Sequence, residues 1–160
     1  MSRARNPWLL PVSVVLALLL GLLPLPDALQ PLRPYWLALV VAYWVLEDSA
    51  RVGLVFAFCC GLLADLAFGG ILGEQALRLV VMAFILQRFR TQLRFFPIVQ
   101  QALAIGGLLL NDRVVSAAVH FAIGEPQPPP LAWLAPLVGM LLWVPVFVVL
   151  DALRHGRRAR

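Results

Sequence analysis

Six apolar segments, divided by prolines, glycines and clusters of arginine, leave this chain few ways to fold. They run from about Trp8 to Leu23, Tyr35 to Leu46, Val52 to Phe68, Ile71 to Leu86, Pro97 to Ile123 and Leu131 to Leu153. The 160 residues are 62% hydrophobic and 13% charged, against roughly 45–50% and about 25% in soluble domains. A soluble domain of this size buries only about two-thirds of the surface its unfolded chain exposes, too little to hide so much apolar side chain. The sequence therefore predicts an all-α membrane protein, a compact bundle of about six transmembrane helices forming one integral membrane domain over residues 1–160. Crossing a bilayer takes about 20 helical residues, so the second segment is short. Extension into its proline-rich approach, local thinning or burial against neighbours has to make up the difference.

All thirteen basic residues are arginine, and their placement orients the bundle. With both termini on the cytoplasmic side, the inner loops and ends hold Arg3, Arg5, Arg51, Arg88, Arg90, Arg94, Arg154, Arg157, Arg158 and Arg160, and the outer loops hold Arg33 alone. That bias follows the positive-inside rule. Topology thus accounts for the net charge of +5 without nucleic acid. The tail His155-Gly156-Arg157-Arg158-Ala159-Arg160 also suits contact with anionic lipid. Arg3 and Arg5 precede an apolar stretch with no small-x-small cleavage pattern after it, which reads as a retained anchor. Cys59 and Cys60 are adjacent and read as packing residues, since a vicinal disulfide would be strained. No nucleotide loop, paired-histidine metal motif or Gly-x-Ser-x-Gly elbow occurs, so neither an enzyme nor a cofactor is expected.

The residues that call for explanation are ionisable groups inside the apolar segments. A charge at the centre of a lipid-facing helix costs about 2.5–3.5 kcal/mol, and less near an interface. Asp65 lies near the end of the third segment, Glu74 and Arg78 open the fourth, and Asn111, Asp112, Arg113 and His120 lie in the second half of the fifth. The expected topology sets all of them toward the outside. Glu74 and Arg78 share a helical face at i and i+4, acid first. Asp112 and Arg113 point in different directions, so each is expected to find its partner on another helix. The preferred reading is a polar girdle joining short helices, with Asp65 to Arg78 or to Arg113 as the candidate pairs. A sharper one is an outward cavity for a small ligand or a partner's helix, and a third is proton or ion translocation.

Glycines surround the turn between the third and fourth segments: Gly61, Gly69, Gly70 and Gly73 permit close helix approach. Gly106 and Gly107 allow a neighbour against the fifth segment, or a kink. Trp8, Tyr35, Trp36, Tyr43, Trp44, Trp133 and Trp143 fall mostly near predicted span ends, where amphipathic rings belong.

In order along the chain come RPYW at Arg33–Trp36, YW at Tyr43–Trp44, RVG at Arg51–Gly53, GLLADL at Gly61–Leu66, LG at Leu72–Gly73, AL at Ala76–Leu77 and QQAL at Gln100–Leu103. This series resembles the rod shape-determining protein MreD family of Gram-negative bacteria, most densely from Arg33 to Leu103. The acidic Glu47-Asp48-Ser49-Ala50 before Arg51 and the polar Asn111–Arg113 cluster depart from the pattern. The resemblance implies a non-enzymatic inner-membrane component of the cell-wall elongation machinery that binds and stabilises MreC. Through MreC it would be linked to MreB filaments, RodA and RodA's transpeptidase partner. It also implies a fold similar to the substrate-binding subunits of energy-coupling-factor transporters. The candidate outward site comprises Asp65, Gly73, Glu74, Arg78, Asp112 and Arg113, with Arg33, Trp36 and Arg51 secondary. The alternative is a solute-binding transporter subunit that uses the same outward cavity.

Overall fold

A computed structural model describes residues 8–48 and 50–155. Arg3, Arg5, Arg157, Arg158 and Arg160, counted above in the charge bias, lie outside the described residues. The described chain is all-helical, with six α-helices: α1 Leu9–Leu22, α2 Trp36–Glu47, α3 Leu54–Phe68, α4 Glu74–Phe95, α5 Ile98–Ile123 and α6 Ala135–His155. Short 3-10 turns, Gln30–Leu32 and Pro130–Leu134, lead into α2 and α6.

The breakers explain most of these limits. Pro24 follows the end of α1, Pro34 precedes α2, and Pro97 separates α4 from α5 by denying the helix an amide donor. Gly69 and Gly124 close α3 and α5 in left-handed conformations, φ 67° and 75°, which a residue without Cβ adopts at no steric cost. The boundary that differs most from expectation is the end of α4. Helix α4 runs past Leu86 to Phe95, carrying Arg88, Arg90 and Arg94 on a helix rather than a loop. Gln, Arg and Leu are good helix formers, and no breaker intervenes before Pro97.

The short second segment is the centre of the molecule. Every residue from Leu37 to Leu46 is buried, and α2 packs on α1, α4, α5 and α6. Its C-terminal end is held by side chains from elsewhere. Arg90 Nε donates to the Leu46 carbonyl at 3.0 Å, and Arg154 pairs with Glu47 at 2.8 Å. Tyr43, Trp44 and Trp143 belong to this core rather than to an interfacial belt; Trp44 Nε1 donates to Ser13 Oγ of α1. Across the α2–α6 contact Tyr43 and Phe147 meet edge to face, with ring centroids 5.6 Å apart.

Outside that core the surface is apolar. Val55, Phe84, Leu103, Leu141 and Val149 are all more than half exposed, a distribution suited to lipid rather than water. The helices Ile98–Ile123 and Pro130–His155 are each long and apolar enough to cross a membrane, and α1 and α3 are shorter apolar helices.

Candidate functional site

Helices α3 and α4 form a hairpin whose closeness depends on one glycine. A Cβ on Gly61 would stand 2.2 Å from the Ala76 Cα, inside any van der Waals limit. Beyond it, the turn leads through Gly73, in the left-handed region at φ 95°, into Glu74 as the first residue of α4. The carboxylate of Asp65, 3% exposed near the end of α3, reaches across this turn. Its Oδ2 accepts from the Gly73 amide at 2.8 Å and its Oδ1 from the Gln75 amide at 3.0 Å. Asp65 therefore caps α4 from the neighbouring helix, where two otherwise orphaned amides and the positive end of the helix dipole favour an anion. The expected pairing of Asp65 with Arg78 or Arg113 is not found. Helix α4 begins at the Asp65 carboxylate, and the amides there occupy both of its oxygens.

Arg78 instead pairs with Asp112. Both are buried, and two hydrogen bonds join them: Nε to Oδ1 at 2.9 Å and Nη2 to Oδ2 at 2.5 Å. This forked geometry fixes orientation as well as distance. Glu74 flanks the pair at 3.6 Å from Arg78 Nη1, as the i, i+4 spacing predicts. Its Oε1 also accepts from Ser116 Oγ at 2.8 Å, and its Oε2 lies 3.4 Å from His120 Nε2. The α5 contribution is thus a ladder of Asp112, Ser116 and His120, one helical turn apart.

A third wall comes from the start of α2. The ring of Tyr35 lies under the Arg78 guanidinium, 4.8 Å from centroid to Cζ, an attractive cation–π arrangement. Its hydroxyl donates to the side-chain carbonyl of Gln75. Tyr35, Gln75 and Ser116 are members of the network that the sequence reading did not assign to it. The i, i+4, i+8 spacing of Asp112, Ser116 and His120 on one face was the signal available for Ser116. Gln75 and Tyr35 meet only through the tertiary fold.

Beside this network, at the same end of the bundle, opens a cleft of about 300 Å³. Arg33, Tyr35, Gln75, Arg78 and Arg113 form its polar wall, and Trp36 and Phe68 are among its apolar lining. Arg33 is anchored by donating to the carbonyls of Gly21 and Leu23, both at 2.7 Å, which closes the C-terminal end of α1. Arg113 did not acquire the interhelical carboxylate partner expected of it; Asp112, its neighbour in sequence, is turned to Arg78. Arg51 lies apart from all of these, half exposed in the α2–α3 connection, 3.9 Å from Asp48. The two helix ends it joins are at the opposite end of the bundle from the Gly69–Gly73 turn, so Arg51 does not share a site with the others.

The network can hold four chain segments in register: the start of α2, the α3–α4 turn, the first turns of α4 and the second half of α5. Its carboxylates are engaged by amides, a guanidinium, a hydroxyl and an imidazole.

The family model for the rod shape-determining protein MreD matches residues 2–153. A curated relative, "Rod shape-determining protein MreD" of Haemophilus influenzae, is 32% identical over 141 residues, covering 88% of this chain and 87% of that protein. No solved structure matches. These likenesses lend no support to the solute-binding alternative.

Proposed function

The chain belongs to the MreD family of rod shape-determining proteins, and from that premise we propose that it is a non-enzymatic scaffold of the wall-elongation machinery that binds and stabilises MreC. Membership points to a role in determining rod shape. The observation that carries the scaffold reading is the closed Glu74–Arg78–Asp112 network: its charged groups are used on one another and on helix ends, to hold a bundle together. Such a bundle presents a fixed apolar exterior to another helix, and association in lipid then rests on packing of small residues and a few polar contacts.

In this reading all six helices cross the inner membrane with both termini cytoplasmic. The arginine bias of ten inner positions to one outer supports that orientation, and the burial of α2 supports a short central span. Asp65, Gly73, Glu74 and Arg78 then shape the outward end that meets the partner. The likeness to energy-coupling-factor substrate-binding subunits belongs to the same proposal, as do the indirect links through MreC to MreB, RodA and its transpeptidase partner. The test is a clean deletion complemented by plasmid copies. Loss of the gene should round the cells, and the wild-type copy should restore rods. Retained rod shape in the deletion would sink the proposal.

A further inference from the structure

The cleft at the turn end is cationic where it is open. Three carboxylates lie nearby, but each is turned elsewhere: Asp65 to the α4 amides, Asp112 to Arg78, and Glu74 to Arg78, Ser116 and His120. The side chains lining the cleft include Arg33, Arg78 and Arg113 and no carboxylate. Arg78 is neutralised by Asp112. Arg33 has only neutral carbonyls as partners, and its Nε is buried without an acceptor. Among the described residues neither Arg33 nor Arg113 has a carboxylate within ion-pairing distance. Two arginines left without counter-ions in a largely apolar bundle are costly, and an anion accepting from them would offset that cost.

The cleft does not end at its polar wall. Ala17 and Trp36 line it and also line a second hollow, an apolar groove of about 350 Å³ between α1 and α6. The groove follows α1 from Leu20 back to Leu9 and α6 from Leu142 to Leu153. At 1.5 Å per residue this is about 16 Å along the helix axis. A cationic head site and a hydrocarbon-walled channel therefore share two residues and run on from one another. We propose that this composite site holds one phospholipid of net negative charge, its headgroup between Arg33 and Arg113 and one chain along the α1–α6 groove. A partner helix fits the groove less well, because a helix about 10–12 Å across with its side chains needs a wider bed than a single chain.

The purified full-length chain, examined by native mass spectrometry after exchange into mixed micelles, tests this. The probes are phosphatidylglycerol and phosphatidylcholine of identical chains, and inorganic phosphate alone. Phosphatidylglycerol should be retained at least tenfold more than phosphatidylcholine, and inorganic phosphate should not displace it at equal concentration. Arg113→Gln should weaken retention roughly fivefold, the factor that one arginine contributes near an anionic lipid surface, while Arg113→Lys, which keeps the charge, should retain most of it. Val149→Trp, which fills the groove, should weaken lipid retention without creating a preference for phosphatidylcholine. Equal retention of the two lipids, or a glutamine variant that binds like wild type, would overturn the proposal. Full displacement by inorganic phosphate would overturn it too, by making the cleft a site for a free anion.

Discussion

Arg78 and Asp112 are each other's principal partner, and that mutual dependence determines what their loss does. Removing one member of a buried, hydrogen-bonded pair leaves the other charge uncompensated, at a cost of about 3–5 kcal/mol. Arg78→Met should therefore lower the detergent melting temperature markedly, and adding Asp112→Leu should recover part of the loss because it removes the stranded carboxylate. A double variant no more stable than the single one would contradict the pairing. Asp65 predicts a smaller effect. Asparagine keeps an acceptor for one amide but gives up the charge at the α4 N-terminus, so Asp65→Asn should cost about 1 kcal/mol, well short of Arg78→Met. A ranking in the other order, read from thermal melts of both variants, would show that Asp65 bears more than a cap. The sequence showed that these residues needed partners, because ionisable groups stood in apolar segments. It did not show which partners. Asp65 found amides instead of arginine because the turn places the start of α4 over the end of α3, and no residue spacing encodes that contact.

At the level of elements, the α3–α4 hairpin was the most legible part of the chain. Gly61 marked a close approach, and Gly69 and Gly70 marked reversal of direction. In the fold, a Cβ at Gly61 meets backbone that cannot rotate away, whereas at Gly107 it meets nothing within 4 Å. Gly61→Ala should therefore destabilise by more than the usual 1–3 kcal/mol of overpacking, and Gly107→Ala should be neutral or stabilising through helix propensity. Thermal melts of the two single variants decide it; equal melting temperatures would mean that the hairpin is looser than described. The length of α4 and the burial of α2 were less legible. Arginines at positions 88, 90 and 94 looked like a loop because charge marks the membrane boundary, yet charge does not stop a helix. An apolar run reads the same whether it faces lipid or protein, so only packing revealed that α2 is central and that Trp143 and Tyr43 are core residues.

For the whole molecule, the apolar exterior and the family place the chain in a membrane, and the arginine bias predicts its orientation. In a cysteine-free background, Glu125→Cys in the α5–α6 loop should react with a membrane-impermeant maleimide in intact spheroplasts, and Arg94→Cys at the far end of α4 should react only after lysis. Reversed labelling would invert the bundle and move the polar network to the cytoplasmic side. Sequence composition alone carried the broadest of these conclusions, because no other environment accepts so much exposed hydrocarbon. The proposed partner rests on resemblance alone, since a helix-binding surface in lipid is apolar like the rest of the exterior. The central claim, a scaffold that holds MreC, is tested most directly by co-purification. Full-length tagged chain and untagged MreC, solubilised together in mild detergent, should elute as one species in size-exclusion chromatography. Elution of the two as separate peaks, from cells whose rod shape the tagged chain maintains, would contradict it.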